Sequence, residues 1–107
     1  MPTVWIVDDD SSVRWVLDKA LRSDGIAPRC FDAAAEVLDT LAQESPDVLI
    51  TDVRMPGMDG MQLLEVLESD GHEFPVIVMT AHADLDAAVT AYRGGAFEYL
   101  PKPFDVD

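Results

Sequence analysis

A chain of 107 residues, 49% of them apolar, is long enough for one packed domain and too apolar to be disordered. Its 21 Asp and Glu against 7 Lys and Arg leave a net charge of -14, which repels phosphate backbones, so this chain is not expected to bind nucleic acid by itself. No apolar run approaches the roughly 20 residues of a membrane span, the lone cysteine rules out an internal disulfide, and no basic leader precedes the first apolar run, so a cytoplasmic protein is expected.

Val4–Val7 is a β-branched and aromatic run that reads as a strand covered on both faces. It ends in Asp8, Asp9 and Asp10, adjacent carboxylates that repel one another and need a compensating positive charge. Val13, Val16, Leu17, Ala20 and Leu21 then recur at helical spacing, with Asp10 or Ser11 as cap and Gly25 as stop. Trp15 falls off that stripe and is expected to be partly exposed. Ala27–Phe31 reads as an edge strand, because Pro28 cannot donate to a ladder. Cys30 within it is expected to be a buried structural thiol. Ala34, Val37, Leu38 and Leu41 make a second helical face.

Val48–Ile50 is a third strand, running into Thr51 and Asp52. In the following "DVRMPGMDG", Pro56, Gly57 and Gly60 specify a tight loop and Asp59 a helix cap, while Met55, Met58 and Met61 suit either an adaptable contact surface or ordinary packing. Gly60, Leu63, Leu64 and Leu67 form a third helical face. Val76–Met79 is a fourth strand, followed by Thr80. The Ala-rich stretch Leu85–Arg93, stopped by Gly94-Gly95, has the least to bury and is expected to be the most mobile helix. Phe97–Leu100 is a fifth strand that leads to Lys102 between two prolines, and the Lys102–Pro103 bond is a candidate for the cis form. Tyr99 should face away from Lys102. His72 and His82 lack partner ligands at useful spacing and read as surface or loop residues.

Strands and helices alternate, which implies an α/β fold with a parallel sheet, right-handed crossovers and helices on both faces. The chain stops soon after Phe104, before any helix that would cover the last strand, and is read as truncated there. In such sheets sites form beyond the carboxyl ends of the strands. With strand order 2-1-3-4-5, Asp8, Asp9 and Asp52 would converge, and Thr80 and Lys102 would close the other side. Each has an ordinary reading alone, as cap, turn or solvated charge. Together they suit Mg²⁺ and phosphoryl transfer, with a carboxylate as nucleophile and a hydroxyl and an ammonium on the transferring oxygens.

The acid pair, Asp52 with "MPGMDG", Thr80 after "VIVM" and the "KP" after the last strand resemble the receiver domain of two-component response regulators over the whole chain. "DDDSSVRWVL", "MTAHADLDAAVTAY" and "GAFEYLPKPFD" look, more narrowly, like the nitrogen-regulatory branch of that family. The resemblance implies a flavodoxin-like (CheY-like) five-stranded sheet of order 2-1-3-4-5, here without its fifth helix. It implies Asp52 as phosphoacceptor and Mg²⁺ held by Asp9 directly, by Asp8 through water, by Asp52 and by the backbone carbonyl of Arg54. Thr80 and Lys102 would contact the phosphoryl group, and Thr80 and Tyr99 would form the switch. The implied partners are an NtrB-like sensor histidine kinase as donor, a second copy in a homodimer, and, in the full-length chain, a sigma-54-activating ATPase and a DNA-binding domain. A haloacid-dehalogenase-type phosphatase is the competing reading, with Asp8 as nucleophile and Asp10 as acid/base; it leaves Asp52 unused. A flavin carrier would need a phosphate loop after the first strand, and a nucleotide hydrolase a GxxxxGK loop; neither is present.

Overall fold

The β-branched and aliphatic runs do pair as strands, and their neighbours along the chain wind into helices. The computed structural model describes residues 3–53 and 55–80 and the strand at 98–101. Strands β1 (Val4–Val7), β2 (Arg29–Phe31), β3 (Val48–Asp52), β4 (Val76–Thr80) and β5 (Glu98–Pro101) form one parallel sheet in the order β2-β1-β3-β4-β5. That is the expected order, with the reversal between β1 and β3. Its register sets Val7 beside Thr51 and Asp52 beside Met79, so the carboxyl ends of the central strands line up.

Three helices lie among the described residues: α1 (Ser11–Ser23), α2 (Ala34–Leu41) and α3 (Gly60–Ser69). Asp10 caps α1 through a hydrogen bond from the Ser12 N–H, and the chain leaves α1 through Gly25 at φ 82°. Asp59 and Gln62 form a reciprocal capping box on α3. Two apolar layers result. Trp5, Val7, Phe31, Leu49 and Val78 pack with α2 and α3 on one face, and Val4, Ile6, Ile50 and Met79 pack with Leu17 of α1 on the other. Trp5 and Phe31 sit 5.1 Å apart in a tilted ring pair that ties β1 to the edge strand.

Some expectations change. Cys30 is exposed, not buried. It aligns with Ile6 in register, on the side of α1, but β2 is the edge of the sheet, and the Asp18 Oδ2 stands 4.0 Å from the thiol sulfur. Strand β2 starts at Arg29, after the proline rather than before it. Met55 is buried, and Met58 and Met61 pack against the same core, so ordinary packing accounts for this trio. Trp15 is 59% exposed, as its position off the stripe required. His72 lies in a loop, half-buried against Phe74 at 5.5 Å. The helix expected at Leu85–Arg93 with its Gly94-Gly95 stop, His82, Arg54, Lys102 and the Lys102–Pro103 bond lie outside the described residues, as do the side chains of Thr80 and Tyr99.

Candidate functional site

The end of β1 divides its acids between different tasks. Asp8 is fully buried; its N–H donates to the Phe31 carbonyl at 3.1 Å, and its Oδ1 accepts from the Asp10 N–H at 2.9 Å. Asp10 is exposed and turned to the helix start, where its Oδ1 accepts from Ser12 N–H at 2.8 Å. Asp9, between them, is exposed at the mouth of the site. From the neighbouring strand comes Asp52, 6% exposed. One carboxylate oxygen each from Asp8, Asp9 and Asp52 lies within 4.8 Å of the others.

Like charges this close repel by about 1 kcal/mol per pair in water and about 4 at the effective dielectric of a protein surface. A hard divalent cation with oxygen ligands offsets that cost, and Mg²⁺ takes few protein ligands while keeping waters. The donor set fits: every ligating atom is a carboxylate oxygen, and two of the three residues are already desolvated. Beside them opens a cavity of about 340 Å³ bordered by Asp9, Met55, Pro56 and Asp59.

The loop after β3 brings α3 close to Asp52. Val53 N–H donates to the Met79 carbonyl at 3.0 Å, and Gly60 N–H to the Val53 carbonyl at 2.9 Å. A Cβ at Gly60 would stand 2.0 Å from the Asp52 carbonyl oxygen, so only glycine permits this approach. Gly57, at φ 75°, supplies the left-handed turn that precedes it. Thr51, also fully buried, has its hydroxyl 3.1 Å from the same Asp52 oxygen and donates to it.

Of the expected site residues, Asp8, Asp9 and Asp52 are brought together. The backbone of Thr80 lies one position beyond the partner of Asp52, and Lys102 follows in sequence the residue aligned with Thr80. Two residues carry more than the sequence reading gave them. Gly60, read as part of a tight loop and of the third helical face, also holds α3 against the backbone of Asp52. Arg14 had no role assigned, yet its Nη1 donates to the Asp8 carbonyl at 2.6 Å. Nothing in a helical repeat marks an arginine that bonds backward to the preceding strand.

The family described as response regulator receiver domain matches residues 4–107. The chain belongs to that family. Over 104 residues it is 60% identical to the DNA-binding transcriptional regulator NtrC of Escherichia coli K12, covering 97% of this chain and 22% of that protein. It is 39% identical to the transcriptional regulatory protein FixJ of Bradyrhizobium diazoefficiens, covering 97% of this chain and 51% of FixJ. Crystalline full-length FixJ from B. japonicum superposes with a TM-score of 0.90 at 38% identity, over 97% of this chain and 51% of that one. The apo receiver domain of NtrC in solution gives 0.84 at 57% identity, over 99% of this chain and 86% of that one. The receiver thus spans about a fifth of the length of its NtrC relatives. Among the described residues, no helix is long and apolar enough to cross a membrane.

Proposed function

We propose that residues 1–107 act as one cytoplasmic receiver domain that takes a phosphoryl group onto Asp52 from a phosphohistidine of a sensor histidine kinase. The observation that carries this is the meeting of Asp8, Asp9 and Asp52 beyond the carboxyl ends of β1 and β3. A carboxylate oxygen of Asp52 attacks phosphorus, the phosphorus–nitrogen bond breaks, and its electron pair leaves on the imidazole. Asp8, Asp9, Asp52 and the Arg54 carbonyl would hold Mg²⁺, which supplies positive charge to the phosphoryl oxygens when bound. Thr80 donates a hydrogen bond to one of those oxygens, and the Lys102 ammonium neutralises another. Water later hydrolyses the acyl phosphate and resets the switch. The output is transcriptional control of the NtrC kind, through a sigma-54-activating ATPase and a DNA-binding domain elsewhere in the full chain, with homodimerisation as part of the response.

The phosphatase alternative needs Asp10 as acid/base beside Asp8. Asp10 instead spends its carboxylate on the start of α1, which favours the receiver reading. Incubation with acetyl phosphate and Mg²⁺ should yield a hydroxylamine-labile acyl phosphate, and Asp52→Asn should abolish it. Undiminished labelling of Asp52→Asn would overturn the proposal.

A further inference from the structure

Three of the hydrogen bonds at the turn that presents Asp8 and Asp9 converge on Asp8. The Asp8 N–H is tied to β2 through the Phe31 carbonyl, and its side chain to the Asp10 N–H. The third runs to α1: Arg14 Nη1 donates to the Asp8 carbonyl at 2.6 Å. Arg14 is half-buried one turn into α1, where its own N–H bonds the Asp10 carbonyl at 3.2 Å. The same residue therefore clasps both ends of the acidic turn, from the backbone at Asp10 and from the guanidinium at Asp8. Arg14 belongs to neither the Arg22–Asp18 nor the Arg29–Glu44 ion pair. A hydrogen bond with Asp32, and then the Asp32 charge, raise the Glu36 carboxyl above its ordinary range, and the Arg14 charge opposes them.

We infer that Arg14 is a positioning residue for the cation site, holding the β1–α1 turn so that the carboxylates of Asp8 and Asp9 face Asp52. The inference rests on the reading of those three residues as a cation site. Electrostatics alone makes the opposite prediction: a guanidinium near a cation site repels the cation, and its removal should tighten binding. The sign of the change in affinity therefore separates a positioning role from a merely electrostatic one. Outer-shell partners that orient metal ligands are worth roughly 10–100-fold in affinity. Arg14 acts on the backbone of the ligands, so the lower end applies.

The test is a calorimetric titration of Mg²⁺ into the 107-residue chain and two variants. Arg14→Met keeps the apolar stem and loses the donor, and should weaken Mg²⁺ binding by about tenfold. Arg14→Lys keeps the charge and a shorter-reaching donor, and should fall between Arg14→Met and wild type. In acetyl phosphate labelling the half-saturating Mg²⁺ concentration should rise in step, while the rate at saturating Mg²⁺ stays unchanged. A general loss of structure would lower both. Unchanged or tighter Mg²⁺ binding by Arg14→Met overturns the positioning role and leaves the cation site standing. A wild-type chain that binds no Mg²⁺ overturns both. If Arg14→Met does not fold, Arg14→Lys decides: affinity below wild type supports the role, and equal or higher affinity refutes it.

Discussion

Asp9 and Asp10 are chemically identical neighbours with different work. Asp10 caps α1 and stands outside the carboxylate cluster; Asp9 is within it. Asp10→Asn preserves a good cap and should leave Mg²⁺ affinity nearly unchanged. Asp9→Asn should weaken it by more than the roughly tenfold cost of losing an outer-shell partner. Equal losses in a Mg²⁺ titration would contradict this division. Cys30 offers a second residue-level test. Partial desolvation and then the nearby Asp18 carboxylate push its thiol above the ordinary range, because both disfavour the thiolate and outweigh the opposing charges of Arg14 and Arg22. Although exposed, Cys30 should react slowly with iodoacetamide at neutral pH, and the rate should climb with pH to a midpoint above that of a free thiol. Asp18→Asn should lower that midpoint; an unshifted profile would remove Asp18 from the explanation. The sequence revealed the acid triplet and Asp10 as a cap because strand-end carboxylates and helix caps are local signals. It misplaced Cys30 because burial on an edge strand, which the sequence did identify, depends on what covers that strand. Arg14 was invisible for a related reason, since its bond joins a helix to the strand before it.

The elements themselves were legible wherever hydrophobic spacing was regular. The apolar positions of α1, α2 and α3 and the β-branched runs of β1, β3 and β4 set both kind and place. Boundaries moved where local chemistry intervened, as at Pro28, which β2 excludes. The β3–α3 connection shows how an element end serves the site. In sequence Gly60 was legible as loop chemistry and as the first position of the α3 apolar face, but the structure requires it because of the closeness of the Asp52 carbonyl. Gly60→Ala should therefore force α3 away from β3, at about 3 kcal/mol, the upper end for overpacking, since the obstacle is backbone and not a side chain that can turn. Its urea midpoint should fall, and acetyl phosphate labelling of the remaining folded protein should slow. A variant of wild-type stability and labelling would show that α3 can shift freely, contrary to this account.

At the scale of the molecule, order 2-1-3-4-5 brings β1 beside β3 and sets their acids together, while Thr80 ends the next strand. Phosphorylation of Asp52, as proposed, would add charge and three strong acceptor oxygens beside that strand end. The sequence that follows Thr80 is Ala-rich, with Leu85, Val89 and Tyr92 as its larger apolar residues before Arg93. A bond from Thr80 to the phosphoryl group would bias that segment between two positions, as a population shift requires. Hydrogen exchange with and without a phosphoryl mimic should change most across residues 80–99, and Thr80→Ala should blunt the change. A difference confined to Asp8–Asp10 and Asp52 would mean that the relay is absent. All of this depends on which carboxylate carries the phosphoryl group. The most direct measurement is to phosphorylate the chain with acetyl phosphate and Mg²⁺, trap the acyl phosphate with borohydride, and locate the reduced residue by peptide mass spectrometry. The account predicts a single reduced residue at Asp52; reduction at Asp8, with Asp52 untouched, would contradict it.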